Sequence, residues 1–145
     1  MGPNHVLDKG FKVAAAATNV VFGRACKFNA ADTGDVVTTS GVPATPAVSA
    51  DYVVGIYQET LDAAKVATGK ATVGVRIMGV SRAIAGAAIV KGDPVTSDAN
   101  GKLVPVGVNA GVRWQVGIAW SAAAADGDSF DLLLTPGVTR NGGTT

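Results

Sequence analysis

The sequence is poor in the two side chains on which many enzyme and metal sites depend. His5 is the only histidine and Cys26 the only cysteine in 145 residues. A Ser-His-Asp triad, a Cys-His pair and a histidine-based metal site all need an imidazole inside the folded domain, and His5 precedes that domain. A single cysteine also excludes an internal disulfide. We therefore expect Cys26 to be a small buried hydrophobe in a strand.

Charged residues are also scarce, at 16% of the chain, and the net charge is +1. Lysines and arginines are scattered singly, and no apolar run approaches the ~20 residues of a membrane span. The first ten residues have neither the apolar core of a secretory leader nor a myristoylation motif. We therefore expect neither a nucleic-acid nor a membrane partner. Little charge with much small apolar surface indicates that another protein covers part of the exterior.

Among the carboxylates, one stretch has a pattern with chemical meaning: DGDSFD at 126–131. Its spaced aspartates are typical of a calcium loop, but such a loop ends in a bidentate Glu, and here Leu132–Leu134 follow. GKAT at 69–72 lacks the leading Gly and the hydroxyl directly after Lys70 that a phosphate loop needs. We interpret both stretches as turns. The sequence predicts no metal, no cofactor and no catalytic residue, hence a protein that is not an enzyme.

The chain does contain many short alternating stretches separated by Gly- and Pro-rich turns, which predicts an all-β protein. The clearest hairpin is AIVKGDPVTSDANGKLVPV, in which Asp98–Gly101 form the turn. Pro43 and Pro46 exclude regular structure from one loop. The connector ETLDAAKVATGK is either a short helical turn or a loop with a short strand.

An internal repeat organises these stretches. When Gly23 is set against Gly92, VVFGRACKFNAADTGDVV aligns with AIVKGDPVTSDANGKLV. Further along, Val54-Gly55-Ile56 matches Val116-Gly117-Ile118. The sequence therefore predicts a tandem duplication of a β-unit of about 50 residues, which alone would be marginally stable.

The repeat fixes a domain plan. Residues 1–17 are predicted to be an extended N-terminal arm, 18–135 the β domain and 136–145 a C-terminal tail. The tandem halves lie at about 18–80 and 84–135, with a linker near Gly79–Gly86. Two such halves packed face to face form a small β-barrel or sandwich and cover each other's apolar face.

The aromatic residues leave two interpretations open. Trp114, Trp120, Tyr52 and Tyr57 could form a sugar-stacking platform, as in a carbohydrate- or receptor-binding β-module of a phage tail or surface fibre. Trp120 has the same parity as the apolar residues of its strand, which favours a place in the core. Trp114 lies beside Arg113 near a strand start, which favours an interface.

The order of the motifs carries a family likeness. The stretches GRACKFNAADTGDVV, VVGIYQETLDAAKVATGKATVGVRIMGV, IVKGDPVTSDANGKLVPV and VGIAWSAAAADGDSFDLLL follow one another between residues 18 and 135. This order resembles the capsid decoration (cement) proteins of tailed bacteriophages, above all the small all-β family formerly called a domain of unknown function. A longer loop around Pro43 and Pro46 and extra tails at both ends depart from the family pattern.

The resemblance implies an all-β domain without catalysis on the outer surface of an assembled head, often as trimers, with an arm running across capsid subunits. The partners would be the major capsid protein and further copies of this chain, as a homotrimer or a dimer. Leu7, Phe11 and Lys12 are then the candidates for capsid contact, and Arg113 and Trp114 for self-association or a capsid face. Deletion of residues 1–12 is expected to abolish capsid binding and leave the domain folded.

Overall fold

Nine strands and one short helix make up the regular structure of the described residues in this computed structural model. The structure describes residues 5–31, 34, 36–39, 52–106 and 111–141, with the side chains of 111–114 and 138–141 outside the description. The elements are β1 (Leu7–Val13), β2 (Ala25–Phe28), β3 (Val36–Thr39), β4 (Val53–Tyr57), α1 (Ala63–Ala67), β5 (Thr72–Ile84), β6 (Pro94–Ser97), β7 (Leu103–Pro105), β8 (Gly111–Ala119) and β9 (Ser129–Asn141).

The first five strands close a barrel. Hydrogen-bonded neighbours follow the order β1-β3-β2-β4-β5, and β1 pairs in turn with β5, from Leu7 opposite Met78 to Lys12 opposite Thr72. Alternation along the strands gives this barrel an apolar interior. Its buried members are Phe11, Val13, Val20, Cys26, Val37, Tyr57, Val66, Val73 and Val75.

The second half of the chain repeats this arrangement. The end of β5 pairs antiparallel with β9, and the order continues through β8, β6 and β7. A parallel bridge between Ala85 and Leu103 connects the two ends of that order, where the first barrel has the parallel pair Val13–Val37. The predicted all-β fold of two similar halves is therefore confirmed, and we refer to the halves as the first and second barrels.

The glycines that anchored the sequence alignment occupy the same turn in both barrels. Gly23 and Gly92 have φ of 84° and 94°, a region that side chains disfavour. The Gly23 N–H donates to the carbonyl of Tyr57 at 2.9 Å, and the Gly92 N–H to that of Ala119 at 2.8 Å. This conformational requirement is what the repeated glycine reports.

The repeated V-G-I motif is a β-bulge and not a regular strand. The pairing register shifts beside 54–56 in β4 and beside 116–118 in β8. In both motifs a Cβ on the central glycine would collide with a carbonyl oxygen of the next strand, that of Arg76 or of Leu133. Because the strands approach so closely, glycine is needed at both places.

β5 joins the two barrels as one continuous strand. Its first part, to Met78, pairs with β1, and its second part, from Gly79 to Ile84, pairs with β9. The linker expected near Gly79–Gly86 is therefore wrong in form, because regular strand pairing runs through the junction. A shared strand holds the barrels more firmly than a loop.

Both chain ends join the sheets further than the sequence predicted. Most of the predicted arm is β1, a barrel strand, because Phe11 and Val13 alternate inward and fill the core. At the other end, β9 continues to Asn141 opposite Gly111 of β8, so the predicted tail begins inside a strand. The loop of Pro43 and Pro46 lies outside the described residues.

The connector after β4 contains the short helix α1. The Asp62 carboxylate caps it by accepting from the Ala64 N–H at 2.8 Å, and Val66 packs into the first barrel. Of the alternatives left open for this connector, the helical turn is correct. None of the helices in the described ranges is long and apolar enough to cross a membrane.

The barrels share one apolar core at their contact. Ala25, Val53 and Ile56 of β2 and β4 belong to the same buried cluster as Val116, Phe130 and other residues of the second barrel. Ile56 is 0% exposed although it lies outside the interior cluster of the first barrel. Each barrel therefore covers apolar surface of the other, as the repeat predicted.

Candidate interaction surface

The three predicted capsid-contact residues do not share one environment. Leu7 is 48% exposed and Lys12 is also exposed, so both are accessible on β1. Phe11 is 4% exposed because it points into the first barrel. The inclusion of Phe11 is therefore corrected: its side chain fills the core and has no surface to offer a partner.

An ion pair fastens β1 to the neighbouring strand. The Arg76 guanidinium donates from Nε to Oδ1 of Asp8 at 2.7 Å and from Nη2 to Oδ2 at 3.0 Å, and from Nη1 to the carbonyl of Val80 at 3.0 Å. The hydrogen bond from Arg76 lowers the pKa of the Asp8 carboxyl, and the same bond raises the pKa of Arg76. This bidentate geometry fixes the outer part of β1 against β5.

The segment before β1 lies across the junction of the barrels. A Cβ on Gly79 would meet the carbonyl oxygen of His5 at 2.7 Å and Cγ1 of Val6 at 2.8 Å. Gly79 has φ of 97°, so glycine suits both the turn of β5 and the close crossing. His5, Val6 and Leu7 are exposed there, as is Met78, which pairs with Leu7.

A shallow groove of about 370 Å³ lies beside this segment and is mainly apolar. The Phe28 ring meets the Phe11 ring edge-on with centroids 6.0 Å apart, and the Lys9 ammonium lies 5.1 Å from the Phe11 centroid. Phe28 and Tyr52 are partly exposed. The lining residues are Lys9, Phe11, Phe28, Tyr52, Val54, Ile77 and Pro136.

We call the exposed residues Val6, Leu7, Phe28, Tyr52 and Met78 the junction patch. They come from β1, β2, β4 and β5 and the segments beside them, so no single stretch of sequence shows them together. Sequence reasoning found only Leu7 among them as a capsid-contact candidate. The alternation of β5 could have indicated Met78, whereas Phe28 required knowledge of the barrel closure.

A second exposed apolar area lies on the second barrel. Trp120 is 55% exposed and Val90 is 67% exposed. The prediction that Trp120 lies in the core is wrong, because the bulge in β8 reverses the alternation after Val116. Val116 and Ala119 both face the interior, and Trp120 is left outside.

The remaining predicted contact residues, Arg113 and Trp114, lie in β8 beyond the bulge. Their backbones pair with Thr139 and Val138 of β9. Their side chains lie outside the described part of the structure, so their role in self-association stays a prediction.

The aspartates that the sequence analysis weighed as calcium ligands serve as turn acceptors. Asp98 Oδ1 accepts from the N–H of Asn100 at 2.8 Å and of Lys102 at 3.0 Å. Asp128 Oδ2 accepts from the N–H of Ala124 and Ala125. Within the described ranges, no group of three or more His, Cys, Asp or Glu side chains could hold a metal ion.

Cys26 lies in the interior of the first barrel and is 0% exposed. Burial in apolar surroundings raises the pKa of its thiol, so the reactive thiolate is disfavoured. Burial likewise raises the pKa of Tyr57, whose hydroxyl lies 3.3 Å from Thr39 Oγ1. Both side chains pack the core, as predicted for Cys26.

No protein-family model matches the sequence, and no curated protein matches it. Four solved chains are similar. One is the head fiber gp8.5 N base of bacteriophage phi29, with a TM-score of 0.57, 17% sequence identity, and coverage of 90% of this chain and 95% of that chain. At this identity the likeness shows a common fold over almost the whole of both chains.

Proposed function

We propose that this chain is a structural protein of a bacteriophage head: a decoration protein that binds the outer surface of the assembled capsid and bridges major capsid protein subunits. The observation that carries the proposal is the fold, which over 90% of the chain is similar to a head fiber base of bacteriophage phi29. The motif order of the sequence, which resembles decoration proteins, supports the same class independently.

The mechanism is thermodynamic linkage. A protein that binds assembled subunits but not separated ones raises the free energy needed to open the shell, by an amount set by its concentration relative to its Kd. Each contact can be weak: a millimolar site contributes about −4 kcal/mol, and several sites linked in one oligomer bind far more tightly. Two barrels sharing a strand give a stiff body suited to this role.

The junction patch is the proposed capsid-binding surface. It groups partly exposed apolar side chains around a groove, with Lys9 and the exposed Lys12 on the same barrel. A cluster of exposed apolar side chains on a chain with 16% charged residues marks an interaction site. Leu7 is retained as a contact residue, whereas Phe11 supports the patch from below.

The test is co-sedimentation with capsids that lack the protein. Leu7→Asp and Met78→Asp should each reduce occupancy on expanded heads by about tenfold or more. Phe22→Asp is the control, since Phe22 is also partly exposed but lies in the turn before β2. Full occupancy of both patch variants would overturn the proposed surface, and absence of binding by the wild-type protein to any head would overturn the function. Deletion of 1–12 no longer serves, because it removes a barrel strand.

A second function is favoured by one observation. Trp120 is 55% exposed, as a sugar-stacking residue in a carbohydrate-binding module would be. That function predicts glycan binding that Trp120→Ala abolishes, measured on a glycan array and by calorimetry. The decoration function predicts no glycan affinity and unchanged capsid occupancy for the variant at saturation.

A further inference from the structure

The contact between the two barrels is a template whose other half is repeated on the surface. In the first barrel, the Gly23 turn and the Ala25–Ile56 pair face the second barrel. Ile84 lies under that turn: its N–H donates to the Gly23 carbonyl at 2.9 Å, and a Cβ on Gly23 would lie 2.8 Å from Ile84 Cγ1. We call this surface of the first barrel the inner face.

A turn of the second barrel completes the contact. The Gly101 carbonyl accepts from the Ala25 N–H at 2.7 Å, and the Asn100 carbonyl accepts from Arg24 Nη1 at 3.1 Å. The covering side therefore consists of the end of a unit's first strand, at Ile84, and the β6–β7 turn. The inner face supplies a glycine turn, the residue after it and a strand pair.

The second barrel has its own copy of the inner face, formed by Gly92, Asp93, Pro94 and Ile118, which we call the outer face. Pro94 pairs with Ile118 as Ala25 pairs with Ile56. A Cβ on Gly92 would meet nothing within 4 Å, whereas the same position on Gly23 is filled by Ile84. Pro94 and Ile118 are partly exposed, and the exposed Trp120 follows Ala119, which receives the Gly92 hydrogen bond.

The first barrel has its own copy of the covering side. Lys12 pairs with Thr72 as Ile84 pairs with Ser129, so Lys12 holds the position that lies under the glycine turn. Lys12 is exposed. The turn between β2 and β3 takes the place of the β6–β7 turn.

The substitutions between the two copies are complementary in charge. On the faces, Arg24 of the inner face is replaced by Asp93 on the outer face. On the covering sides, Ile84 is replaced by Lys12. If the first barrel of one copy covered the outer face of another, Lys12 would therefore lie beside Asp93, an attractive pair that the contact within one chain does not contain.

We propose that copies of this chain associate head to tail, with the Lys12 side of the first barrel on the Gly92–Ile118 outer face of a second copy. The partner is a second copy because the chain itself shows which structure fits this face. Such a contact is heterologous, so it closes into a ring or continues as a filament. It deepens the self-association included in the proposed function and does not depend on capsid binding.

Sedimentation velocity of the purified protein over a range of concentrations tests this contact by charge reversal. Asp93→Lys and Lys12→Asp should each raise the association Kd by about tenfold or more, and the double variant should restore association. Lys65→Asp, on the exposed surface of α1, is the matched control and should associate like the wild type. Circular dichroism confirms that each variant is folded.

Cross-linking gives a second readout. Lys12→Cys combined with Asp93→Cys should form disulfide-linked oligomers larger than dimers on mild oxidation, whereas either single variant should stop at a dimer. A wild-type protein that stays monomeric, or an Asp93→Lys variant that associates as the wild type does, would overturn the proposal. Co-sedimentation with heads separates this result from the proposed function, since a monomer that still binds capsids refutes only the head-to-tail contact.

Discussion

At the scale of single residues, two glycines decide how closely strands approach. Gly55 and Gly117 occupy equivalent bulges, and neither position has room for a methyl group, because a Cβ would collide with a carbonyl oxygen. Gly10, on β1, has open space within 4 Å of the place that a Cβ would take, and its φ is not positive. The three glycines therefore separate steric need from mere occurrence.

Gly55→Ala and Gly117→Ala should each lower the free energy of unfolding by about 1–3 kcal/mol, because the strands must move apart. Gly10→Ala is the matched control and should change it by less than about 0.5 kcal/mol. Urea denaturation followed by circular dichroism measures all three. Equal stability of the Gly10 and Gly55 variants would contradict the steric explanation.

The Asp8–Arg76 pair makes a pH-dependent contribution. Both side chains are partly exposed, so Asp8→Asn should reduce stability at neutral pH by no more than about 1 kcal/mol. The pKa of Asp8 is lowered in the folded protein, so this stabilisation is present above the unfolded pKa of about 3.9 and is lost as pH falls through the folded pKa. Thermal unfolding of wild type and Asp8→Asn should therefore differ at neutral pH and converge in acid. A difference that persists in strong acid would assign the effect to something other than the charge.

At the scale of elements, the two barrels fill the same cross-strand pair with opposite volumes. Phe11 of β1 faces Val73 of β5, whereas Ala83 of β5 faces Phe130 of β9. All four lie in the two core clusters. The large ring thus comes from the first strand in one barrel and from the last strand in the other, which conserves core volume through different residues.

Phe11→Ala should destabilise the protein by about 3–5 kcal/mol, because it leaves a cavity in the first barrel. Adding Val73→Phe copies the arrangement of the second barrel and should restore at least about 1 kcal/mol. Leu7→Ala is the control on the same strand and should have little effect, because Leu7 is exposed. Chemical denaturation gives the values, and a double variant less stable than Phe11→Ala would contradict the equivalence of the pairs.

At the scale of the whole molecule, the barrels are joined by β5 and by a common core. Ala25, Val53 and Ile56 of the first barrel lose their apolar cover if the second barrel unfolds. Exposing large apolar side chains such as Val53 and Ile56 costs roughly 1.5–3 kcal/mol each, so partial unfolding is unfavourable. The molecule should behave as one cooperative unit despite its two similar halves.

Unfolding should therefore show coincident transitions by two probes. Both tryptophans, Trp114 and Trp120, lie in the second half, so their fluorescence reports on that half, while far-ultraviolet circular dichroism reports on the whole chain. The midpoints should coincide in urea. Ile56→Ala should lower both midpoints together, by about 2–5 kcal/mol in stability. Two separate transitions would show that the shared core does not couple the barrels.

The sequence by itself determined the all-β class, the repeat, the Asp98–Gly101 hairpin and the buried Cys26, because alternation and turn glycines are local signals. Tertiary structure decided what depends on contacts between distant residues. It placed Phe11 inside the barrel, because closure brings β1 against β5. It placed Trp120 outside, because a bulge beside a glycine reverses the alternation of β8, and it assembled the junction patch from separate strands. Local pattern gives the face a residue occupies on a regular strand, whereas closure and bulges decide which face is inside.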